Sequence, residues 1–277
     1  IISPGQVVKA MILNGLGFVS APLYLFEKFF VGKATEHLLG AGIRPEHLND
    51  DRLGRILDKL AESGLTETFV TVALSAARQF GVKLDSLHLD SSSFHVDGEY
   101  LQTQEPIVET GAIHITHGYS RDHRPDLKQF IVDLMCSGDG DIPLYLRVGD
   151  GNETDSAMFG QLVKEFKQQW DIDALFVADA ALYTAGNLAQ MSQLRWVSRV
   201  PATLTAAKQL LKEIDSSALV ASSLPGYKMA ACGNSYAGIQ QRWLVVESQA
   251  RLESDLKQLD KRVAQKLIAA TSALKQL

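Results

Sequence analysis

Lys83-Leu-Asp-Ser-Leu-His-Leu-Asp90-Ser-Ser-Ser is the stretch on which the fold turns. Residues 84–90 read as a short buried strand that ends on a carboxylate and runs at once into small polar residues. Side chains alternate along a strand, so Leu87 and Leu89 share one face while His88 and Asp90 share the other. A carboxylate at the end of a core strand is placed to hold a metal ion over the edge of a sheet. Ala174-Leu-Phe-Val-Ala-Asp179 repeats the form: a continuous apolar run, as in parallel sheets, closing on a second carboxylate.

Between and after these two stretches the pattern keeps alternating between strand and helix. Residues 111–118 (Gly-Ala-Ile-His-Ile-Thr-His-Gly) alternate apolar and polar and suit an edge strand or hairpin arm. Residues 127–135 and 142–148 are two further strands joined by the turn signal Ser137-Gly-Asp-Gly-Asp141. Thr154 or Asp155 opens a helix to residue 169, with Phe159, Leu162, Val163 and Phe166 inward. Residues 182–194 are helical and 195–200 form another strand. The order strand, hairpin, helix, strand, helix, strand predicts an α/β core over residues 82–200.

Upstream, residues 1–81 read as an all-helical module. Ser3-Pro4-x-Gln6 has the N-cap, N1 proline and N3 amide of a helix start. Pro22 opens a second helix, residues 33–39 a third, and Asn49 or Asp50 caps a fourth bearing Leu53, Ile56, Leu57 and Leu60. Thr66 caps a fifth, with Phe69, Val70, Ala73, Ala76, Ala77 and Phe80 inward and Gly81 as its stop. Downstream, 204–214 is helical. Residues 227–232 and 239–246 are antiparallel strands around Gly233-Asn-Ser-Tyr, giving a β-containing insertion over 201–250. A charged helix over 247–277 carries the stripe Leu252, Leu256, Leu259, Val263 and Leu267, and residues 251–277 are expected to begin a further C-terminal part.

Net charge is −5, with eight cations and eight acids in residues 1–80, so the excess acid lies in the second part and overall charge does not advertise a nucleic-acid partner. Cys136 and Cys232 stand alone, which argues against a zinc site or disulfide scaffold and suits a reducing, cytoplasmic setting. No apolar run approaches the ~20 residues of a membrane span. The missing initiator Met and a last helical pattern that stops at Leu277 lead us to expect a fragment cut at both ends.

Two carboxylates converging at strand ends repel unless a cation lies between them, and Mg²⁺ or Mn²⁺ is the natural occupant. Two such ions can activate a water or a 3′-hydroxyl and stabilise the leaving oxygen in phosphodiester chemistry. The alternative is that each Asp caps the next turn of the chain, with Asp179-Ala-Ala-Leu as a helix N-cap.

Leu87-His-Leu-Asp90-Ser-Ser-Ser-Phe, Gly118-Tyr-Ser-Arg-Asp-His-Arg-Pro-Asp126-Leu-Lys-Gln-Phe, Asp150-Gly-Asn152 and Val177-Ala-Asp179-Ala-Ala-Leu-Tyr together resemble bacterial insertion-sequence transposases of the DDE type. Asn14-Gly-Leu-Gly-Phe-Val-Ser-x-Pro-Leu-Tyr-Leu is similar to the helical module preceding their core. The most distinctive string is Tyr119 to Asp126. The resemblance implies a ribonuclease-H-like mixed sheet with helices, preceded by the helical module and interrupted by the β-rich insertion. It implies that Asp90 and Asp179 are catalytic and metal-binding, with two Mg²⁺ (or Mn²⁺) ions, and that the partners are transposon-end and target DNA, handled as a homodimer. It also implies a third acid, a Glu on a late helix. Glu247 and Glu253 are the candidates within this sequence, and the position beyond Leu277 is the main expectation.

Arg121, His123, Arg124 and Lys128 are candidates to touch DNA phosphates. Arg124 sits among Asp122 and Asp126, so a self-satisfied turn explains the same string. His88 shares a face with Asp90 or is a hydrogen-bonded core residue. His114 and His117 read as structural, Asp150 as a turn former that could help position a metal, and Trp170, Trp196 and Trp243 as core. Two rivals to a transposase fragment remain: a non-catalytic DNA-binding or assembly module, and a metal-dependent phosphoesterase for small substrates.

Overall fold

The computed structural model describes residues 2–17, 22–100, 112–120, 123–170 and 172–274. The chain is mixed α/β. It falls into two compact units, Ile1–Leu84 with Ser91–Asn152, and Asp85–Asp90 with Glu153–Leu277.

The first unit opens with helices. α1 (Pro4–Gly15) carries the expected capping box: Gln6 N–H donates to Ser3 Oγ at 3.4 Å and Ser3 N–H donates to Gln6 Oε1 at 2.8 Å. A 3₁₀ turn (Leu23–Leu25) leads into α2 (Phe26–Phe30), and then come α3 (Thr35–Leu39), a second 3₁₀ turn (Pro45–Leu48) and α4 (Asp50–Glu62). Asn49 caps α4 by accepting from Arg52 N–H at 3.1 Å. Val7, Ala10, Phe26, Phe30, Leu39, Leu48 and Leu53 bury together as the core of this module; each large side chain contributes roughly 1.5–3 kcal/mol over leaving it in water.

α5 (Leu65–Phe80) differs from expectation at both ends. Gly64, at φ +79°, is the N-cap residue, and its carbonyl already accepts Thr68 N–H at 3.1 Å, so Thr66 lies inside the helix. The buried stripe is Val70, Ala73, Leu74 and Ala77; Phe80 falls on its flank in the last turn and is 77% exposed. Gly81 ends the helix in the left-handed region, as expected.

β1 (Ser86–Val96), β2 (Lys128–Ser137) and β3 (Pro143–Gly149) come next. β2 and β3 are antiparallel, with Asp133 opposite Arg147 and Met135 opposite Tyr145, and α5 packs against β3. β1 does not end at Asp90. It runs on through Ser91-Ser-Ser-Phe-His-Val96, because those residues have partners on β2: Ser91 Oγ donates to the buried Asp133 carboxylate, and Phe94 stacks on Phe130 with ring centroids 5.5 Å apart. Arg147 Nη1 donates to the other Asp133 oxygen at 2.9 Å, so the buried charge is paired.

Residues 112–120 make a single antiparallel bridge, Thr116 to Gln129, rather than a strand; Gly111 lies outside the described residues. Here three backbones meet. A Cβ on Gly151 would come within 2.0 Å of Gln129 O, and one on Gly118 within 2.0 Å of Gly151 O, so both positions require glycine. Asp150 Oδ1 accepts His114 N–H at 2.8 Å, the turn-forming role.

The second unit holds α6 (Asp155–Trp170), β4 (Leu175–Ala178), α7 (Ala185–Gln190), β5 (Trp196–Ser198), α8 (Thr205–Glu213), β6 (Val220–Ala221), β7 (Tyr227–Tyr236), β8 (Ile239–Ser248) and α9 (Gln249–Leu274). Phe159, Leu162, Val163 and Phe166 are all at most 1% exposed, as the spacing predicts. A 3₁₀ turn, Ala180–Leu182, precedes α7, which is shorter than the helix expected over residues 182–194. β4 pairs in parallel with both β1 and β5, and the larger sheet has the order β3-β2-β1-β4-β5, the ribonuclease-H-like arrangement.

β6, β7 and β8 form a separate sheet. The hairpin turns at Ala237-Gly238, with φ +52° and +76°, and not at Gly233-Asn-Ser, which stay in β7 opposite Arg242, Gln241 and Gln240. Two consecutive positive-φ residues make the tight turn that matches strand twist, which the composition of Gly233-Asn-Ser mimicked. Glu247 belongs to β8, opposite Lys228, so α9 starts at Gln249. Its stripe Leu252, Leu256, Leu259, Val263 and Leu267 is 47–67% exposed. Among the described residues, no helix is long and apolar enough to cross a membrane.

α6 and α7 touch through Gly160, whose N–H donates to Asn187 Oδ1 at 3.2 Å; a Cβ there would come within 2.7 Å of Asn187 Cα. Gly160→Ala should therefore destabilise the fold by about 1–3 kcal/mol through overpacking, read as a lower urea midpoint. An unchanged midpoint would mean that the two helices can separate without loss.

Candidate functional site

Pairing in parallel register brings the ends of β4 and β5 level with Asp90, midway along β1. On β1 and β4, Leu87 faces Phe176, His88 faces Val177 and Leu89 faces Ala178; on β4 and β5, Ala178 faces Ser198. The next residue on each chain is Asp90, Asp179 and Arg199. Asp179 is still extended (φ −72°, ψ −171°), so the line of β4 continues one residue before the chain turns. Neighbouring strands lie about 4.8 Å apart. Leu87 and Leu89 are buried while His88 and Asp90 are exposed, the alternation expected, and Asp179 is exposed as well. His88 is thus a surface residue on the Asp90 face, with Ser86 Oγ 3.4 Å from its Nε2.

Asp179 Oδ1 accepts Ala181 N–H at 2.8 Å and caps the Ala180–Leu182 turn. Its other oxygen makes no hydrogen bond among the described residues. Ser198 Oγ donates to the Asp179 carbonyl at 2.6 Å, tying the end of β5 to the same backbone. The cap and the strand-end carboxylate are therefore one arrangement rather than two alternatives.

Two adjacent exposed carboxylates with hard oxygen donors suit Mg²⁺ or Mn²⁺ chemically. Among the described residues, no group of three or more His, Cys, Asp or Glu is placed to hold a metal ion. Glu247 pairs with Lys228 at 3.0 Å, and Glu253 Oε1 accepts Gln249 Nε2 at 3.0 Å on α9, so neither joins Asp90 and Asp179 in such a group.

In the first unit two members of the basic string, Arg124 and Lys128, have local partners. Arg124 makes a two-pronged contact with Asp126, Nε to Oδ1 at 2.9 Å and Nη2 to Oδ2 at 2.8 Å. Arg124 N–H donates to Ser120 Oγ at 2.8 Å, and Ser120 Oγ lies 3.1 Å from His95 Nε2. Lys128 Nζ donates to the carbonyls of Glu99 and Tyr100. His123 sits at φ +58°, a turn conformation. Arg121 lies outside the described residues.

Arg199 is the residue that motif reading missed. It is exposed and comes directly after the short third parallel strand. Its signal in the sequence is its place one residue past Trp196-Val-Ser198, the same strand-end position that picked out Asp90 and Asp179.

A family model described as a domain of unknown function (DUF4277) matches residues 1–74. No curated protein matches the chain. Among solved structures, the chain is similar to a Mos1 transposase paired-end complex with left transposon end, at 11% identity and a TM-score of 0.27, covering 73% of this chain and 59% of that one. It is also similar to a piggyBac transposase synaptic complex with hairpin DNA, at 12% identity and a TM-score of 0.33, covering 71% of this chain and 43% of that one. A Mos1 mariner paired-end complex with Mn matches at 13% identity and a TM-score of 0.25, covering 48% and 40%. The chain thus spans between 40% and 59% of the length of these three transposases. Similarity at that level bears on neither mechanism nor substrate.

The Arg124 guanidinium, by its hydrogen bonds, holds the Asp126 carboxyl at about 2, below its ordinary 3.8. A depressed folded value means that the stabilising contribution is present above pH 3.8 and is lost as pH falls through about 2. In a carboxyl-carbon NMR titration, Arg124→Ala should bring the Asp126 midpoint back up toward its ordinary value. A midpoint unmoved by the substitution would rule out the pair as its cause.

Proposed function

We propose that this chain carries the helical module and most of the catalytic core of a DDE transposase, an enzyme that cleaves DNA at the ends of a mobile element and joins them to target DNA. The observation that carries the reading is the shared parallel register of Leu89 and Ala178, which puts Asp90 beside Asp179 at the level where β4 ends. The strings around Asp90, Tyr119–Asp126 and Asp179 that resemble insertion-sequence transposases support it.

In this reading Asp90 and Asp179 hold Mg²⁺ or Mn²⁺. Bound there, the metal would supply a polarised attacking oxygen and charge neutralisation at the leaving oxygen. The chain's own part is to present two oxygen sets on one sheet face, with Asp179 oriented by its bond from Ala181. Arg199 would offer a cation to a DNA phosphate beside the acids, as arginine does by its planar fork. A complete reaction needs a third carboxylate beyond this pair. Homodimeric assembly on DNA ends belongs to the same proposal.

Mn²⁺ titration by calorimetry should give weak binding, on the order of 10⁻⁴–10⁻³ M, lost in both Asp90→Asn and Asp179→Asn. Absence of binding in the wild type, or binding that survives both substitutions, would overturn the metal pair. Arg199→Ala should leave Mn²⁺ binding intact and weaken binding of double-stranded end DNA several-fold at low salt; DNA affinity unchanged by the substitution would remove Arg199 from the site.

The second reading, a DNA-binding module without catalysis, has one observation in its favour: among the described residues Glu247 pairs with Lys228 and Glu253 with Gln249, so neither supplies a third acid beside Asp90 and Asp179. Salt-dependent DNA binding that needs neither metal nor the two acids would favour it.

A further inference from the structure

Tyr183 lies four residues after Asp179 and is 4% exposed. Its backbone N–H donates to Ala180 O at 3.1 Å and so closes the 3₁₀ turn whose other end Asp179 caps. Its ring stacks on Tyr236 at 5.2 Å and meets the edges of Trp196 and Trp243 at 6.3 and 6.4 Å. Its hydroxyl donates to Gln241 Oε1 and accepts Trp243 Nε1–H at 2.9 Å, while the same indole N–H reaches Gln241 Oε1 at 2.9 Å. Burial raises the phenol above its ordinary value, so it remains a donor at neutral pH.

Packing does not account for this polar triangle. The four rings with Leu188 and Ala207 make an apolar cluster that needs only ring contact, yet Gln241 enters it from β8 with its Nε2 buried and without a partner among the described residues. What the amide supplies is one acceptor, Oε1, shared by the Tyr183 hydroxyl and the Trp243 indole N–H. All the elements involved belong to the second unit, as do Asp90 and Asp179.

We propose that Tyr183 is a positioning residue for the Asp179 carboxylate, held by Gln241 and Trp243 of the β7–β8 hairpin. The hairpin thereby anchors the far end of the turn whose near end carries the metal-binding oxygen. The functional part of this inference rests on the proposed metal role of Asp179; the mechanical part does not. The acceptor on Gln241 fixes the Tyr183 ring, the ring fixes the Ala180–Leu182 turn, and the turn fixes the N–H that Asp179 Oδ1 accepts.

The test combines amide hydrogen exchange with Mn²⁺ calorimetry on the same chain. Tyr183→Phe keeps the ring and removes the hydroxyl. Gln241→Leu removes the acceptor and also the unpartnered donor, and leaves the Trp243–Tyr183 bond in place. Gln241→Glu keeps an acceptor. In Tyr183→Phe and Gln241→Leu, exchange at residues 181–184 should rise about tenfold while α6 amides are unchanged, and Mn²⁺ affinity should fall several-fold. Gln241→Glu should restore both toward the wild type. Wild-type exchange at 181–184 in both Tyr183→Phe and Gln241→Leu would overturn the clamp whatever the metal does. Raised exchange with unchanged Mn²⁺ affinity would overturn its link to the carboxylate. A wild type that binds no Mn²⁺ sinks the metal reading, and exchange alone then decides whether the clamp exists.

Discussion

The register between β1 and β4 is the constraint on which the site depends. It is set by burial and not by the acids. Leu87, Leu89 and Phe176 are at most 4% exposed, and Leu175 N–H donates to Asp85 O at 2.9 Å to start the ladder. Because side chains alternate with a period of two, a slip of one residue would turn both leucines of β1 outward. Each would forfeit about 1.5–3 kcal/mol of burial. The acids themselves stand on the exposed face of the sheet and gain no burial from this register. The hydrophobic effect on one face of the strand therefore fixes where charge stands on the other.

The same logic explains why β1 continues past Asp90. At Ser91 the inward position changes from leucine to serine, and the neighbour it meets is Asp133, a carboxylate 2% exposed. A leucine there would leave one Asp133 oxygen without a donor; the serine hydroxyl fills that need, with Arg147 on the other oxygen. Three serines in a row read as a loop when only their size and polarity are weighed. They form strand because a buried charge on the next strand selects one of them.

Signals that depend on near neighbours were legible in the sequence. The Ser3–Gln6 capping box, the Asn49 cap, the Gly81 stop, the α6 stripe and the facing of Leu87/Leu89 against His88/Asp90 all came through, since each is decided within about one helical turn or a strand's alternation. What did not come through depends on distant partners or on backbone angles. The end of β1 needed Asp133 and Phe130. The hairpin turn needed the positive φ of Ala237, an alanine that no composition rule marks as a turn residue. Phe80 is exposed at the flank of the α5 stripe, in the last turn before the Gly81 stop. Arg199 was invisible because the strand expected over residues 195–200 ran past it, whereas β5 stops at Ser198 and leaves Arg199 just beyond its end.

The capping role of Asp179 leaves room for the proposed metal role on the same side chain. A carboxylate has two oxygens and about four acceptor sites. Capping uses Oδ1 and orients the group through a short, charge-assisted bond from Ala181. A carboxylate so fixed has already lost the rotamer freedom that metal binding would otherwise have to remove. In metal sites, outer hydrogen bonds of this kind orient the ligands and tune their basicity. Reading Asp179 as a helix cap is thus not evidence against its being a ligand, because the cap is the means by which a ligand on a short turn would be held still. The same reasoning places the demand for rigidity one step further back, on whatever holds the turn, and in this chain that is the aromatic cluster around Tyr183.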